Sequence, residues 1–229
     1  MTVRDRIKQL RDMDVRGLQR LFVVVSVWIT FLIACGKFLF GVFTPSFFFC
    51  LSGLYSACLG VARTLAASAI KSDKHNLDNQ RETYAKVILI LFAATVVCIA
   101  YMIRLFIIPS EFQYQPWISV SMAIFALAEL IFAVGGIVQS VRQRDLWLSS
   151  LTGINLHGAL CAVSLAIVSV CAIFGRADAS SLVAVSGIIS GGLGMIVCAV
   201  MFVVYVKSGK YLKKIKNVAG KRSRLDEFR

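Results

Sequence analysis

The sequence predicts an all-α bundle that crosses a lipid bilayer six times, with both ends on the cytoplasmic side. Three observations predict it: the composition, the length of the apolar runs and the placement of the basic residues. Of 229 residues, 58% are hydrophobic and 16% charged, and the mean hydropathy is +0.78. A soluble domain is about a quarter charged and about 45–50% apolar. Surface on this scale cannot all be covered from water, so the excess must face lipid.

A membrane helix needs roughly 20 mostly apolar residues. Six stretches qualify, at about 21–43, 46–69, 85–108, 117–140, 147–174 and 180–206. They run apolar without the two-residue alternation of a transmembrane barrel, and in hydrocarbon such stretches must close their backbone hydrogen bonds as helices. The chain thus divides into an N-terminal tail (1–20), a six-helix domain (21–206) and a basic C-terminal tail (207–229).

Along the chain, the tail places Val3, Ile7, Leu10, Leu18 and Leu21 on one helical face, as an interfacial helix would, with Asp14 intruding. The first apolar run is too long for a signal-peptide core, and no small-residue cleavage site follows it. Thr44-Pro45-Ser46 ends it in a hairpin, because proline disfavours helix at the residue before it. Pro109 and Pro116 bracket the third connection, and Trp117 and Trp147 mark opposite interfaces.

Lys and Arg set the orientation. The N-terminal tail holds six, the second-to-third connection four, the fourth-to-fifth two and the C-terminal tail nine. The opposite set of connections holds one, Arg176. That imbalance places both termini in the cytoplasm, in a multi-pass protein of the cell membrane. It also explains the net charge of +13 and the pI of 9.7 without nucleic acid, whose binders gather their cations on one solvated face.

Ionisable residues at membrane depth are costly and by default face protein or water. Lys37 and Arg104 lie near the outer ends of their spans and read as anchors that reach the interface. Glu129 lies near mid-depth of the fourth span, sharing a face with Ala126, Ala133, Gly136 and Ser140. Small residues of this kind mark close helix contact, so Glu129 points into the bundle. Arg63 shares a face with Ser52, Ser56, Gly60 and Ala67, about a third of the way in from the cytoplasm. His157 has Ser150, Gly153, Cys161 and Ser164, with Asn155 nearby. Arg63, Glu129, Asn155 and His157 form the candidate polar site. There Glu129 would bind a cation or carry a proton relayed by His157, whose ordinary pKa lies near 6.5. The competing reading is an Arg63–Glu129 pair and a hydrogen-bonded His157 that serve structure alone.

In the sixth span Gly187 and Gly191 make a GxxxG. It fits packing within the bundle, with homo-oligomerisation as the alternative. Lys207, Lys210, Lys213, Lys214 and Lys216 form a juxtamembrane cluster. It reads first as the orientation signal and second as a site for anionic lipid. No direct repeat is evident, and a three-plus-three duplication would have to be inverted; the sequence offers no convincing similarity for one.

All seven cysteines fall in apolar runs without a CxxC, as small buried apolar residues rather than a disulfide framework or metal site. There is no P-loop, GxGxxG, nucleophile elbow or HExxH, so no cofactor, metal or catalytic residue is expected. A cation-diffusion-facilitator exporter would need acids and histidines in the second and fifth spans, and the second has no carboxylate. The vitamin-binding subunit of an energy-coupling-factor importer would carry Ala-x-x-x-Ala in its first span, which is missing here.

The order of GVARTLAASAIKS (Gly60–Ser72), SVSMAIFALAELIFAVGGIVQSVRQRD (Ser119–Asp145) and SSLTGINLHGALCAVSLAIVS (Ser149–Ser169) resembles an uncharacterised family of six-span membrane proteins of Gram-positive bacteria. The resemblance implies topology and no chemistry. It departs at Ala126–Glu129, where that family carries aromatic and basic residues. The functional expectation is therefore a small transporter for an ion or polar solute. The alternative is a non-catalytic membrane protein that binds lipid or a protein partner.

Overall fold

The computed structural model describes residues 24–43, 47–71, 77–108, 116–140, 146–174 and 179–227. They form six helices: α1 (Val24–Phe43), α2 (Phe47–Lys71), α3 (Leu77–Ile107), α4 (Pro116–Ser140), α5 (Leu146–Phe174) and α6 (Ala179–Glu227). The all-α class is as expected. Five of the helices are long and apolar enough to cross a membrane, and α4 carries a shorter apolar stretch, Ser119–Gly135. At about 1.5 Å per residue, the 25 residues of α4 still extend about 37 Å.

The outer surface is what lipid requires. Leu32 is 74% exposed and Phe43 81%, in company with exposed Trp28, Leu89, Ile107 and Ile131. Apolar exposure on this scale exceeds the few hundred Å² tolerated by a soluble monomer. This is a multi-pass membrane protein.

Two boundaries differ from the sequence reading. α3 begins at Leu77, so Arg81 and Lys86 lie on the helix and not in a connection. Glu82 pairs with Lys86 one turn on at 2.8 Å, and Arg81 lies over the Tyr205 ring at 4.4 Å. The helix therefore continues beyond its apolar part, supported by its own charges. At the other end, α6 runs through Glu227, which makes the basic cluster from Lys207 to Lys216 a continuation of the last helix. Its length of 49 residues, about 73 Å, is more than twice the hydrocarbon thickness of about 30 Å. The N-terminal tail with its proposed interfacial helix lies outside the described residues.

The helices stand in two rows of three. α1 packs on α2 so closely that a Cβ on Gly53 would come 2.9 Å from the Phe38 backbone nitrogen and 3.1 Å from the Ala34 carbonyl. α2 continues to α3, and α4 to α5 to α6. Across the rows, α1 meets α4 where Gly36 faces Phe125, while α2 lies against α5 and α3 against α6. Two apolar cores fill the middle. One joins Phe48, Phe49, Met102, Met122, Leu165 and Val183 towards the Phe43 and Phe47 end; the other joins Leu59, Val87, Leu91, Leu151, Ile154 and Met201 towards the opposite end.

Gly187 and Gly191 face α3. A Cβ on Gly187 would lie 2.5 Å from Met102 Sδ, and one on Gly191 would overlap Ile99. The glycines thus let α6 approach α3 inside the same chain.

Candidate functional site

The bundle buries a column of polar side chains between the two rows. Its centre is Lys37 of α1. The sequence reading took this residue as an interfacial anchor; in the structure it is 0% exposed. Its Nζ donates to Glu129 Oε1 of α4 at 2.6 Å and to Ser56 Oγ of α2 at 3.1 Å. Ser56 Oγ in turn donates to the same carboxylate oxygen at 2.7 Å. The correction has a simple cause: Ser26, Thr30, Lys37 and Gly41 are spaced four or seven apart and lie on the α1 face turned inward. A lysine on that face meets protein before it can reach water, and Glu129 offers it an opposite charge.

Arg63 makes a second centre. Its Nη2 donates to Asn155 Oδ1 of α5 at 2.9 Å, and its Nη1 donates to the Thr30 hydroxyl and, at 3.4 Å, to the Ser26 carbonyl of α1. Gly158 of α5 leaves the space, its Cβ position lying 3.9 Å from Nη2. Arg63 is thus held by three neutral oxygens, with Glu129 near enough only for a longer-range interaction. Of the four predicted site residues, the structure brings Arg63 and Asn155 together. Glu129 is bonded to Lys37 and Ser56, two turns along α1 from Thr30 and two turns along α2 from Arg63.

His157 is not brought to them. Fully buried, it turns to α6, with Nδ1 2.9 Å from the Gly153 carbonyl and Nε2 3.5 Å from Cys198 Sγ. A carbonyl can only accept, so Nδ1 donates to Gly153. In this geometry His157 ties α5 to α6, and among the described residues none of its hydrogen bonds reaches Glu129.

Beside the Lys37 centre lies a cavity of about 40 Å³. Ser52, Tyr55, Thr95, Cys161, Ser164 and Ser190 supply its polar wall, and Cys161 is within electrostatic reach of both Lys37 and Glu129. A water needs roughly 10–15 Å³ of such space, so the cavity has room for a few waters or one small ion. All seven cysteines are free: Cys171 and Cys198 are buried as expected of small apolar residues, but Cys35 is exposed.

Among the described residues, Arg63 Nε and Glu129 Oε2 of the column are buried without a hydrogen-bond partner. Counted together, the column holds two cations and one carboxylate. Ser56 and Lys37 are the members that the sequence reading missed as site residues. The small and hydroxyl residues recurring along α1 mark that face as inward, but they do not show which neighbour Lys37 meets.

Together the apolar exterior and the polar interior column define a helical bundle of the membrane. Comparison with known proteins finds no matching family model and no matching curated protein.

Proposed function

We propose that the protein is a small transporter of the cell membrane, with both termini in the cytoplasm, and that its ion-binding centre is Lys37, Glu129 and Ser56 beside the hydroxyl-lined cavity. One observation carries this reading: Lys37 and Arg63 are buried at membrane depth beside a Glu129 side chain only 9% exposed, which leaves one positive charge in excess. Stability does not call for them. A buried ion pair replaced as a unit by apolar residues is commonly neutral or stabilising. Ionisable groups at this depth are therefore the signature of a path for ions or polar solutes.

The charge balance favours a small anion as the solute. An anion in the cavity would neutralise the column, and the Ser52 hydroxyl, which has no hydrogen-bond partner among the described residues, would donate to it, whereas Thr95, Ser164 and Ser190 already donate to Leu91, Ser190 and Ser186. The test is flux in proteoliposomes of the full-length protein, with chloride, nitrate and formate set against sodium and potassium. Anion flux is expected, and Glu129→Gln should change it by about an order of magnitude or more, in line with the cost of removing one partner of a buried charge pair. Absence of flux for every ion, or flux indifferent to Glu129→Gln, would reject the reading.

A second reading has its own observation. Between α3 and α6 a groove of about 420 Å³, lined by Ile88, Leu89, Phe92, Met195, Ala199 and Phe202, suits an acyl chain. Lys207 stands near its lower end, where an anionic headgroup would lie. Anionic lipid retained through detergent exchange, lost in Lys207→Gln and accompanied by no flux, would favour lipid binding over transport.

A further inference from the structure

The two rows carry a relation beyond the polar column. α1 lies on α4, α2 on α5 and α3 on α6, and alternation along the chain makes each of these pairs antiparallel. Two three-helix units related by a two-fold axis in the membrane plane would stand in this way. In such an arrangement a residue meets its own counterpart only where its helix crosses the axis, and the three crossings share one line.

Packing and scattered identities set the correspondence. Leu51, Gly53, Ala62, Leu65 and Ala66 of α2 recur as Leu151, Gly153, Ala162, Leu165 and Ala166 of α5, and Val97-Cys98 of α3 recurs as Val197-Cys198 of α6. For the first helices, Gly60 meets Phe31 and Gly41 meets Cys50 in one unit and Gly158 meets Ala133 in the other, which sets Ile33 of α1 against Ala133 of α4. The geometry agrees at all three crossings. Lys37 meets Glu129 at 2.6 Å, one turn from Ile33 on α1 and one turn from Ala133 on α4. Leu59 lies 3.8 Å from the Cβ position of Gly158, the neighbour of its counterpart Ala159. Thr95 lies 3.2 Å from that of Gly194, the neighbour of its counterpart Met195. Lys37 also touches Ser56, one turn from Leu59, so the crossings of α1 and α2 lie at one level.

The units are not identical: among the described residues α3 touches α5 with no counterpart between α6 and α2, Gly53 packs on α1 whereas Gly153 packs on α6, and the register of the third helix differs. Between α5 and α6, Ser164 Oγ donates to Ser190 Oγ at 2.7 Å and Gly153 packs on Met201. The corresponding pairs are Thr64 with Ile90 and Gly53 with Tyr101. Between α2 and α3, however, Tyr101 stacks on Phe47 at 5.2 Å and Tyr55 reaches Thr95. α3 is thus displaced along α2 by about one helical turn, roughly 5.4 Å, from the symmetric position.

We infer that the chain is an inverted repeat of residues 24–107 and 116–209, with the Lys37–Glu129 contact beside its axis, and that the two halves exchange these helix registers as the protein works. Packed helices switch between registers in one-turn steps because interdigitated side chains allow discrete positions and not intermediate ones. Exchange of conformation between inverted halves turns a site beside the axis from one side of the bilayer to the other. The movement's purpose rests on the transport reading, but its geometry does not.

Cross-linking reads that geometry directly, so its failure is distinct from a failure of flux. The full chain, with its native cysteines replaced, would carry Ser164→Cys with Ser190→Cys, Thr64→Cys with Ile90→Cys, or all four, and be oxidised in proteoliposomes. Each pair alone is expected to form its disulfide. In the four-cysteine chain, molecules holding both bridges should be about a tenth or less of those holding one, since the registers exclude each other. The proposal is overturned if either pair never closes or if both close in the same molecule. Should the cysteine-free background not fold, the same pairs in the native chain are read by mass spectrometry of the bridged peptides.

Discussion

At the scale of single residues, the Lys37–Glu129 pair makes a sharp energetic prediction. Removing one charge leaves the other buried among helices, at a cost of about 3–5 kcal/mol, whereas removing both avoids that cost. Lys37→Met and Glu129→Gln are each expected to lower the unfolding midpoint in detergent, and the double variant should recover most of the loss. Equal or additive destabilisation by the double variant would mean the two charges act independently. The same pair shows how far a single sequence could be read. Glu129 announces itself because a short acidic side chain at mid-depth cannot reach water. Lys37 does not, because its long stem makes an interfacial anchor equally plausible, and only the three-dimensional neighbour distinguishes the cases. Arg63 and Asn155 could be placed on inward faces by helical phase, but phase says nothing of which inward faces meet. That is why Arg63 finds Asn155 and Thr30 in place of Glu129, and why His157 turns to α6.

At the scale of the element, apolar length and composition are sufficient to locate the helices, since hydrocarbon leaves the backbone no other way to satisfy itself. Their ends are less constrained, because water beyond the membrane neither forbids nor requires further helix; α3 and α6 both run past their apolar parts. Packing between elements is decided by shape. Gly191 faces Ile99 without room for a Cβ, whereas adjacent Gly192 has no atom within 4 Å of its Cβ position. Gly191→Val should therefore destabilise by about 1–3 kcal/mol through overpacking against α3. Gly192→Ala should be neutral or stabilising by up to about 1 kcal/mol, from helix propensity alone. Thermal unfolding of the two variants in one detergent checks the pair, and a similar loss in both would show that helix flexibility, and not contact with α3, sets the requirement for glycine.

At the scale of the whole molecule, an inverted repeat poses a problem of insertion that charge must solve. Two similar three-helix units left to themselves would enter the membrane the same way up, yet here the second must enter opposite to the first. The basic residues set this locally: six precede α1, four lie before or on the start of α3, two precede α5 and nine follow the apolar part of α6. The weakest of these signals is Arg142 with Arg144, next to Asp145, in the first connection within the second unit, between α4 and α5. Because nine cations retain the far end of that unit, neutralising the two arginines should not turn it over. In a cysteine-free chain, Ser110→Cys is expected to react with an impermeant thiol reagent in intact cells, and Ser72→Cys only after permeabilisation. The pattern should persist in Arg142→Gln/Arg144→Gln. Labelling of Ser72→Cys from outside would reverse the whole orientation. Inversion on neutralising the two arginines alone would mean that the second unit is oriented by its own first connection, and that the C-terminal cations serve lipid or a partner.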